Sequence, residues 1–180
     1  MMAAAAATLE TLADDLAAAA PGWATRPLPK LDGDPQDVFP MSPVVGLANP
    51  VAPPVRVWSV TGDEGQPEIR GTVRFGQAYE GPPGCVHGGV IAQTFDELLG
   101  VANVVAGNAG MTGRLTIHYR RPTPLRQDLD LVSRQVGVDG RKVHTWAAIY
   151  SAGELTAEAE GLFIVAPPGR IAEIATTPAG

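Results

Sequence analysis

The stretch Gly88-Gly89-Val90-Ile91-Ala92-Gln93-Thr94-Phe95-Asp96-Glu97-Leu98-Leu99-Gly100-Val101-Ala102-Asn103-Val104-Val105 decides how the chain is read. Ile91, Phe95, Leu98, Ala102 and Val105 recur at alternating spacings of four and three, while Val90, Leu99, Val101 and Val104 fill other faces. That pattern predicts a helix from Gly88 to about Val105, apolar almost all round and therefore buried. Its polar and small exceptions, Gly89, Gln93, Asp96, Gly100, Asn103 and Gly107, fall on one narrow stripe, which is expected to face a cleft or a closely approaching partner. Asp96 sits in the middle of it. A carboxylate on such a helix is costly to desolvate and its proton affinity answers to its surroundings, so Asp96 is a candidate catalytic group. The plainer alternative is a structural Asp bound to a neighbouring loop. Glu97, about 100° further round, is read as solvated or ion-paired.

Upstream lies the Gly/Pro-rich loop Glu80-Gly81-Pro82-Pro83-Gly84-Cys85-Val86, then His87 and the glycine pair Gly88-Gly89. The pair is expected to let the backbone turn tightly into the helix, leaving unblocked N–H groups at its positive end, where an anion or oxyanion would bind. The alternative is two glycines needed only for close packing. Cys85, the one cysteine, excludes an intramolecular disulfide and fits a reducing cytoplasm. It has no evident orienting partner, so it is read as a loop thiol without a special role.

Outward from the helix, the chain reads as strands. Val55 to Val60 and Ile69 to Phe75 are β-rich runs joined through Gly62-Asp63-Glu64-Gly65, a hairpin. Leu115, Ile117 and Tyr119 alternate with Thr116, His118 and Arg120 in a half-buried strand stopped by Pro122. Asp128 to Val138 and Lys142 to Tyr150 flank the turn signal Asp139-Gly140. Leu155, Ala157, Ala159, Gly161, Phe163 and Val165 form one face of a last strand. One long apolar helix with several antiparallel strands is an α+β layout in which the sheet wraps the helix.

The N-terminal third differs. Met1 to Ala20 is alanine-rich, but no Lys or Arg precedes the apolar run and Glu10, Asp14 and Asp15 interrupt it. Neither a signal peptide nor a membrane span is expected. Leu9, Leu12 and Leu16 fall at helical spacing, predicting a short amphipathic helix that ends before Pro21-Gly22. From Pro21 to Pro54 recurrent prolines leave no long regular element, yet Phe39, Met41, Val44, Val45, Leu47 and Val51 are too apolar for a free linker. This arm is expected to lie on the domain, where a substrate lid could be. The chain thus divides into residues 1–54 (helix and arm), 55–168 (the domain) and 169–180 (a tail). Its 180 residues, 45% hydrophobic with net charge −6, suit one globular domain and disfavour nucleic-acid binding; no zinc-ligand spacing is present.

The run from His87 to Asp96, with the acid nine positions after the histidine, resembles the active-site helix of hotdog-fold acyl-CoA thioesterases of the phenylacetate-pathway (PaaI-like) type. The likeness continues through Gly110-Met111-Thr112-Gly113-Arg114 to Tyr119-Arg120-Arg121-Pro122, then to about Val165, roughly the last two-thirds of the chain. It implies a hotdog fold and thioester hydrolysis, with the Gly88 N–H as oxyanion donor, Asp96 as general base or nucleophile, and Thr112 orienting water. His87 would shape the loop or donate near the carbonyl. Gly89 and Gln93, on the same stripe, are expected to line the substrate site. No cofactor is implied, because CoA enters as part of the substrate. The family often carries an Asn or Gln about six residues before the histidine as a second carbonyl donor; here that neighbourhood reads Tyr79-Glu80-Gly81-Pro82, so either the Gly81 N–H or a water takes the place of the amide, or carbonyl activation is weaker and turnover slow.

Gly88 and Asp96 are eight residues apart, about 12 Å along a helix at 1.5 Å per residue, too far to act on one carbonyl. Two antiparallel copies of the helix would bring the Gly88 end of one beside the Asp96 of the other, giving two equal sites. The resemblance implies the same homodimer, alone or as a dimer of dimers. For the CoA phosphates, Arg114, Arg120, Arg121, Arg126, Arg134, Arg141 and Lys142 are an excess of cations, with Arg141 and Lys142 the preferred pair. Two other functions compete: a hotdog hydratase or dehydratase, and a non-catalytic acyl-CoA binder.

Overall fold

The computed structural model describes residues 2–19, 35–63 and 65–165. The proline motifs before Pro35 and the tail 169–180 lie outside them. In chain order the elements are α1 (Met2–Ala19), α2 (Pro35–Val38), β1 (Arg56–Thr61), β2 (Pro67–Val73), α3 (Gly88–Val105), β3 (Met111–Tyr119), β4 (Leu129–Asp139), β5 (Lys142–Ser151) and β6 (Glu154–Ile164). The strands form one six-stranded sheet in the order β1-β2-β4-β5-β6-β3, with every neighbouring pair antiparallel. The sheet curls round α3, the hotdog arrangement. The helix spans the residues that its period predicts.

Helix and sheet meet through complementary sizes. Ile91, Phe95, Leu98, Leu99 and Ala102 of α3 are buried, over Ala147, Ala157, Ala159 and Phe163 of the sheet. Small residues there let the helix sit close. At Gly161 a Cβ would come within 2.6 Å of the Phe163 ring and 3.0 Å of Leu99 Cδ1, so only glycine fits.

Two hairpins fix the long strands. Asp139 pairs with Lys142, which moves the loop one residue on from the expected Asp139-Gly140 to Gly140-Arg141, with Gly140 at φ 56. Between β5 and β6, Ser151 pairs with Glu154, and Ala152 (φ 50) and Gly153 (φ 79) are both left-handed, as a type I′ turn requires. Strand β3 lies at the open edge of the sheet.

The arm goes deeper than a surface covering. Val44, Val45 and Val55 belong to the same buried cluster as the helix and sheet, whereas Met41, Leu47 and Val51 stay exposed. Gln36 Nε2 donates to the carbonyls of Val45 (2.9 Å) and Val55 (3.0 Å), and Ser42 Oγ accepts from the N–H groups of Val44 and Val45, both at 3.1 Å. Those bonds satisfy backbone groups that no strand or helix supplies. Leu9 and Leu12 of α1 are exposed. No helix among the described residues is long and apolar enough to cross a membrane.

Candidate functional site

His87 is the N-cap of α3, extended at φ −61 and ψ 134. Its N–H donates to the Tyr79 carbonyl (2.8 Å), and the Val86 N–H to Thr123 (2.8 Å), which anchors the entry loop. The first N–H groups of a helix need outside acceptors. Val90 and Ile91 donate to the His87 carbonyl at 2.9 and 3.2 Å, and Gly89 donates to His87 Nδ1 at 3.0 Å. The N–H of Gly88 has no acceptor among the described residues. With Nδ1 accepting, a neutral His87 carries its proton on Nε2.

Neither Gly88 nor Gly89 has positive φ, so a tight turn is not the reason for the pair. Space is. That holds for Gly89, where a Cβ would lie 3.1 Å from His87 Nδ1, against the ring that caps it, but not for Gly88, where a Cβ would meet nothing closer than 3.5 Å. The Gly81 N–H, one of the two expected substitutes for the missing amide, donates instead to the Cys85 carbonyl at 2.9 Å and is not free. Gln77, ten residues before His87, donates to Glu80 and accepts from Arg126.

Two turns further along α3, Asp96 Oδ1 accepts from the Thr112 hydroxyl at 2.7 Å, and both residues are exposed in the single chain. Gly89 and Gln93 are exposed as well, and Gly100 is half-buried. The stripe ends there. Asn103 is fully buried, its Oδ1 accepting from Thr145 (2.6 Å) and Gln135 (3.4 Å), so the sheet and not a cleft receives it. Gly107, at φ 80, lies past the helix end.

Glu97 departs from its expected solvated or ion-paired role. It is half-buried, and burial raises its carboxyl pKa, countered in part by a hydrogen bond from Ser42 and reinforced by the charge of Asp96. Val44 and Val45 of the arm pack into the same cluster as α3, and Ser42 bears on the residue next to Asp96.

The cation cluster resolves into committed and free members. Arg120 and Arg121 pair with Glu158 and Glu154, Arg126 with Gln77, and Arg134 with Glu68, the last also lying 4.5 Å from the Trp146 ring centre. Bonds from Arg120 and then Trp146 hold the Glu158 carboxyl below its ordinary pKa. Arg141 spends one nitrogen on the Val165 carbonyl at 3.0 Å, while Arg114 and Lys142 have no ion pair among the described residues. In register, Lys142 faces Ile164, which faces Met111, the neighbour of Thr112. The free cations thus lie at the Thr112 end of the sheet.

A further contact was visible in sequence only as a strand residue. Tyr119, at the other end of β3, donates its hydroxyl to the Gly88 carbonyl at 2.9 Å. Strand alternation marks Tyr119 as facing the helix, but no sequence signal names Gly88 as its partner.

Comparison with known proteins agrees with this fold. Residues 83–158 match the family model of the thioesterase superfamily. The crystal structure of a thioesterase superfamily protein superimposes with a TM-score of 0.75 at 39% identity, covering 91% of this chain and 78% of that one. The acyl-coenzyme A thioesterase THEM4 of Xenopus laevis is 40% identical over 91 residues, 49% of this chain and 41% of the relative. The chain thus spans about two-fifths of the length of the curated relatives it matches. The PaaI protein of the E. coli phenylacetic acid degradation operon shares the fold at a TM-score of 0.55 and 15% identity, over 61% of this chain and 82% of that one.

Proposed function

Because the chain belongs to the thioesterase superfamily, we propose that it hydrolyses the thioester of an acyl-CoA to a free acid and CoA. The observation that carries this reading is one helix whose Gly88 N–H has no acceptor among the described residues and whose Asp96 carboxylate is bound by a hydroxyl. An N–H with no acceptor at the positive end of a helix is suited to a developing oxyanion. A carboxylate held by one hydroxyl keeps its second oxygen free for a proton.

The site forms between two copies. With about 12 Å of helix between Gly88 and Asp96, the thioester carbonyl binds the Gly88 N–H of one protomer and meets the Asp96 of the partner subunit. The open edge of β3 and the exposed Gly89, Gln93 and Asp96 support such a contact. Gln93, one turn before Asp96, lines the shared cleft, and the His87 Nε2–H is available as a second donor to the carbonyl. Asp96 acts as general base: it takes a proton from water, whose oxygen attacks the carbonyl carbon while the Gly88 N–H holds the oxyanion. Collapse breaks the C–S bond, and the proton on Asp96 passes to the CoA sulfur. Thr112, bonded to Oδ1, leaves Oδ2 for the water. Arg114, Arg141 and Lys142 hold the CoA phosphates.

A thiol-reagent assay over a panel of acyl-CoA esters tests the activity, and Asp96→Asn should lower turnover by at least about 10²-fold. Single-turnover hydrolysis in ¹⁸O-water tests the role of Asp96. Label confined to the product acid is expected, whereas label in the Asp96 carboxyl would show an anhydride route. Non-catalytic acyl-CoA binding is the reading favoured by the commitment of the Gly81 N–H to Cys85; binding without turnover across the panel would establish it. Hydration of crotonyl-CoA would establish a hydratase instead.

A further inference from the structure

We propose that Tyr119 is a positioning residue that holds the Gly88 N–H in its oxyanion-binding orientation, an inference that rests on the role of Gly88 proposed above. Gly88 is the first residue of α3 and, as glycine, the one least restrained about its own backbone bonds. Its flanking peptides are fixed from both sides. The His87 carbonyl, in the same peptide plane as the Gly88 N–H, accepts from Val90 and Ile91. The Gly88 carbonyl, in the next plane, accepts from the Tyr119 hydroxyl at 2.9 Å. The Tyr119 ring closes the third side, with its hydroxyl and two ring carbons 3.5 to 3.7 Å from where a Gly88 Cβ would stand. Both peptide planes that meet at Gly88 are thereby held.

The same strand reaches Asp96, and a β-bulge makes that possible. Thr112 and Tyr119 are seven residues apart, an odd number, so a regular strand would send their side chains to opposite faces of the sheet. The register with β6 shifts between Thr112 and Arg114, so that Thr112 faces Phe163 and Tyr119 faces Ala157, six residues apart on β6. Six is even. The extra residue at Gly113 thus turns Thr112 onto the helix face that Tyr119 already occupies. Strand β3 braces the oxyanion end of α3 with one residue and the carboxylate with the other.

The test is vibrational. In the Asp96→Asn background, which holds thioester without turning it over, a ¹³C-labelled thioester carbonyl is followed by difference infrared spectroscopy. The parent is expected to show the carbonyl band shifted to lower frequency than the same ester in water. Adding Tyr119→Phe, which removes one hydroxyl from a half-exposed ring and leaves the fold in place, should move the band back toward the water value and broaden it. With Asp96 intact, Tyr119→Phe should lower kcat by about tenfold, a fraction of the 10²–10³ lost when an oxyanion donor is removed outright, with KM unchanged. A band unmoved by Tyr119→Phe, beside a shifted parent, would overturn the positioning role and leave Gly88 in place. A parent band at the water frequency would overturn the oxyanion role of Gly88, and the Tyr119 assignment with it.

Discussion

Replacing Thr112 by Val removes one atom group and little else. The two side chains share shape and β-branching, so strand β3 keeps its propensity, and an exposed change of this kind should alter stability by no more than about 0.5 kcal/mol. What is lost is the hydroxyl that donates to Asp96 at 2.7 Å. That length is typical of an O–H bond to a charged oxygen, where a hydrogen bond contributes about 1.5–3 kcal/mol. Both residues are exposed in the single chain, so water replaces the lost bond there at little cost to stability; with substrate closing the site it cannot, and the lower end of that range, about 1.5 kcal/mol or roughly tenfold in rate, is lost from the transition state. Steady-state hydrolysis of an acyl-CoA should therefore show kcat reduced about tenfold in Thr112→Val and nearly restored in Thr112→Ser, with thermal melts of all three proteins in close agreement. An unchanged kcat in Thr112→Val would remove Thr112 from the mechanism. Equal losses in the Val and Ser variants would mean that the methyl group's packing is needed as well as the hydrogen bond.

Two further outcomes follow from the surroundings of the site. Burial raises the folded-state pKa of Glu97 above its ordinary 4.5, so its contribution to stability is fully present below the unfolded value and is lost as pH rises through the folded one. Glu97→Gln, which keeps an oxygen for the Ser42 hydroxyl, should therefore melt higher than wild type at neutral pH, with the gap closing as pH falls toward 4.5 and below; a gap that widens on acidification would contradict the burial argument. Replacing Arg114, Arg141 and Lys142 together by Ala should raise KM for CoA esters more than it lowers kcat. Unchanged KM would mean that the phosphates bind elsewhere.

Much of the fold is legible in the sequence because burial there imposes a period. The four-three spacing of Ile91, Phe95, Leu98 and Ala102 marks the core face of α3, and the alternation of Ala157, Ala159, Gly161 and Phe163 marks the inner face of β6. Local turn chemistry is legible too, though Asp139 shows its limit: the Asp-Gly signal names the turn, but only the cross-strand register assigns Asp139 to the ladder. At the site, residue types can be read where the chemistry needs them, as with His87, Gly88 and Asp96. Contacts that depend on tertiary approach cannot. The periodicity places Asn103 on the same stripe as Asp96, but the crossing of helix over sheet decides that Asn103 meets Thr145 and is buried while Asp96 meets the exposed edge strand. The Ser42–Glu97 contact and the Tyr119–Gly88 bond join segments far apart in sequence. The Gly113 bulge shows only as a change in pairing register.

The shared site is tested most directly by mixing two defective chains. Asp96→Asn keeps the shape of the side chain and its bond to Thr112. Gly88→Pro deletes the oxyanion N–H at the first helical position, where proline is tolerated. The fold should accept that proline, because His87 already has the extended conformation required before one, at ψ 134, and a Cβ at residue 88 would meet nothing closer than 3.5 Å. Each variant alone should be nearly inactive. When the two are unfolded and refolded together, a mixed dimer pairs the intact Gly88 of the first chain with the intact Asp96 of the second, giving one complete site and one doubly defective site. Random pairing makes about half the dimers mixed, so activity should recover to roughly a quarter of the wild-type value under two-fold symmetry. No recovery, with both chains folded and shown to exchange, would contradict a site built from two protomers.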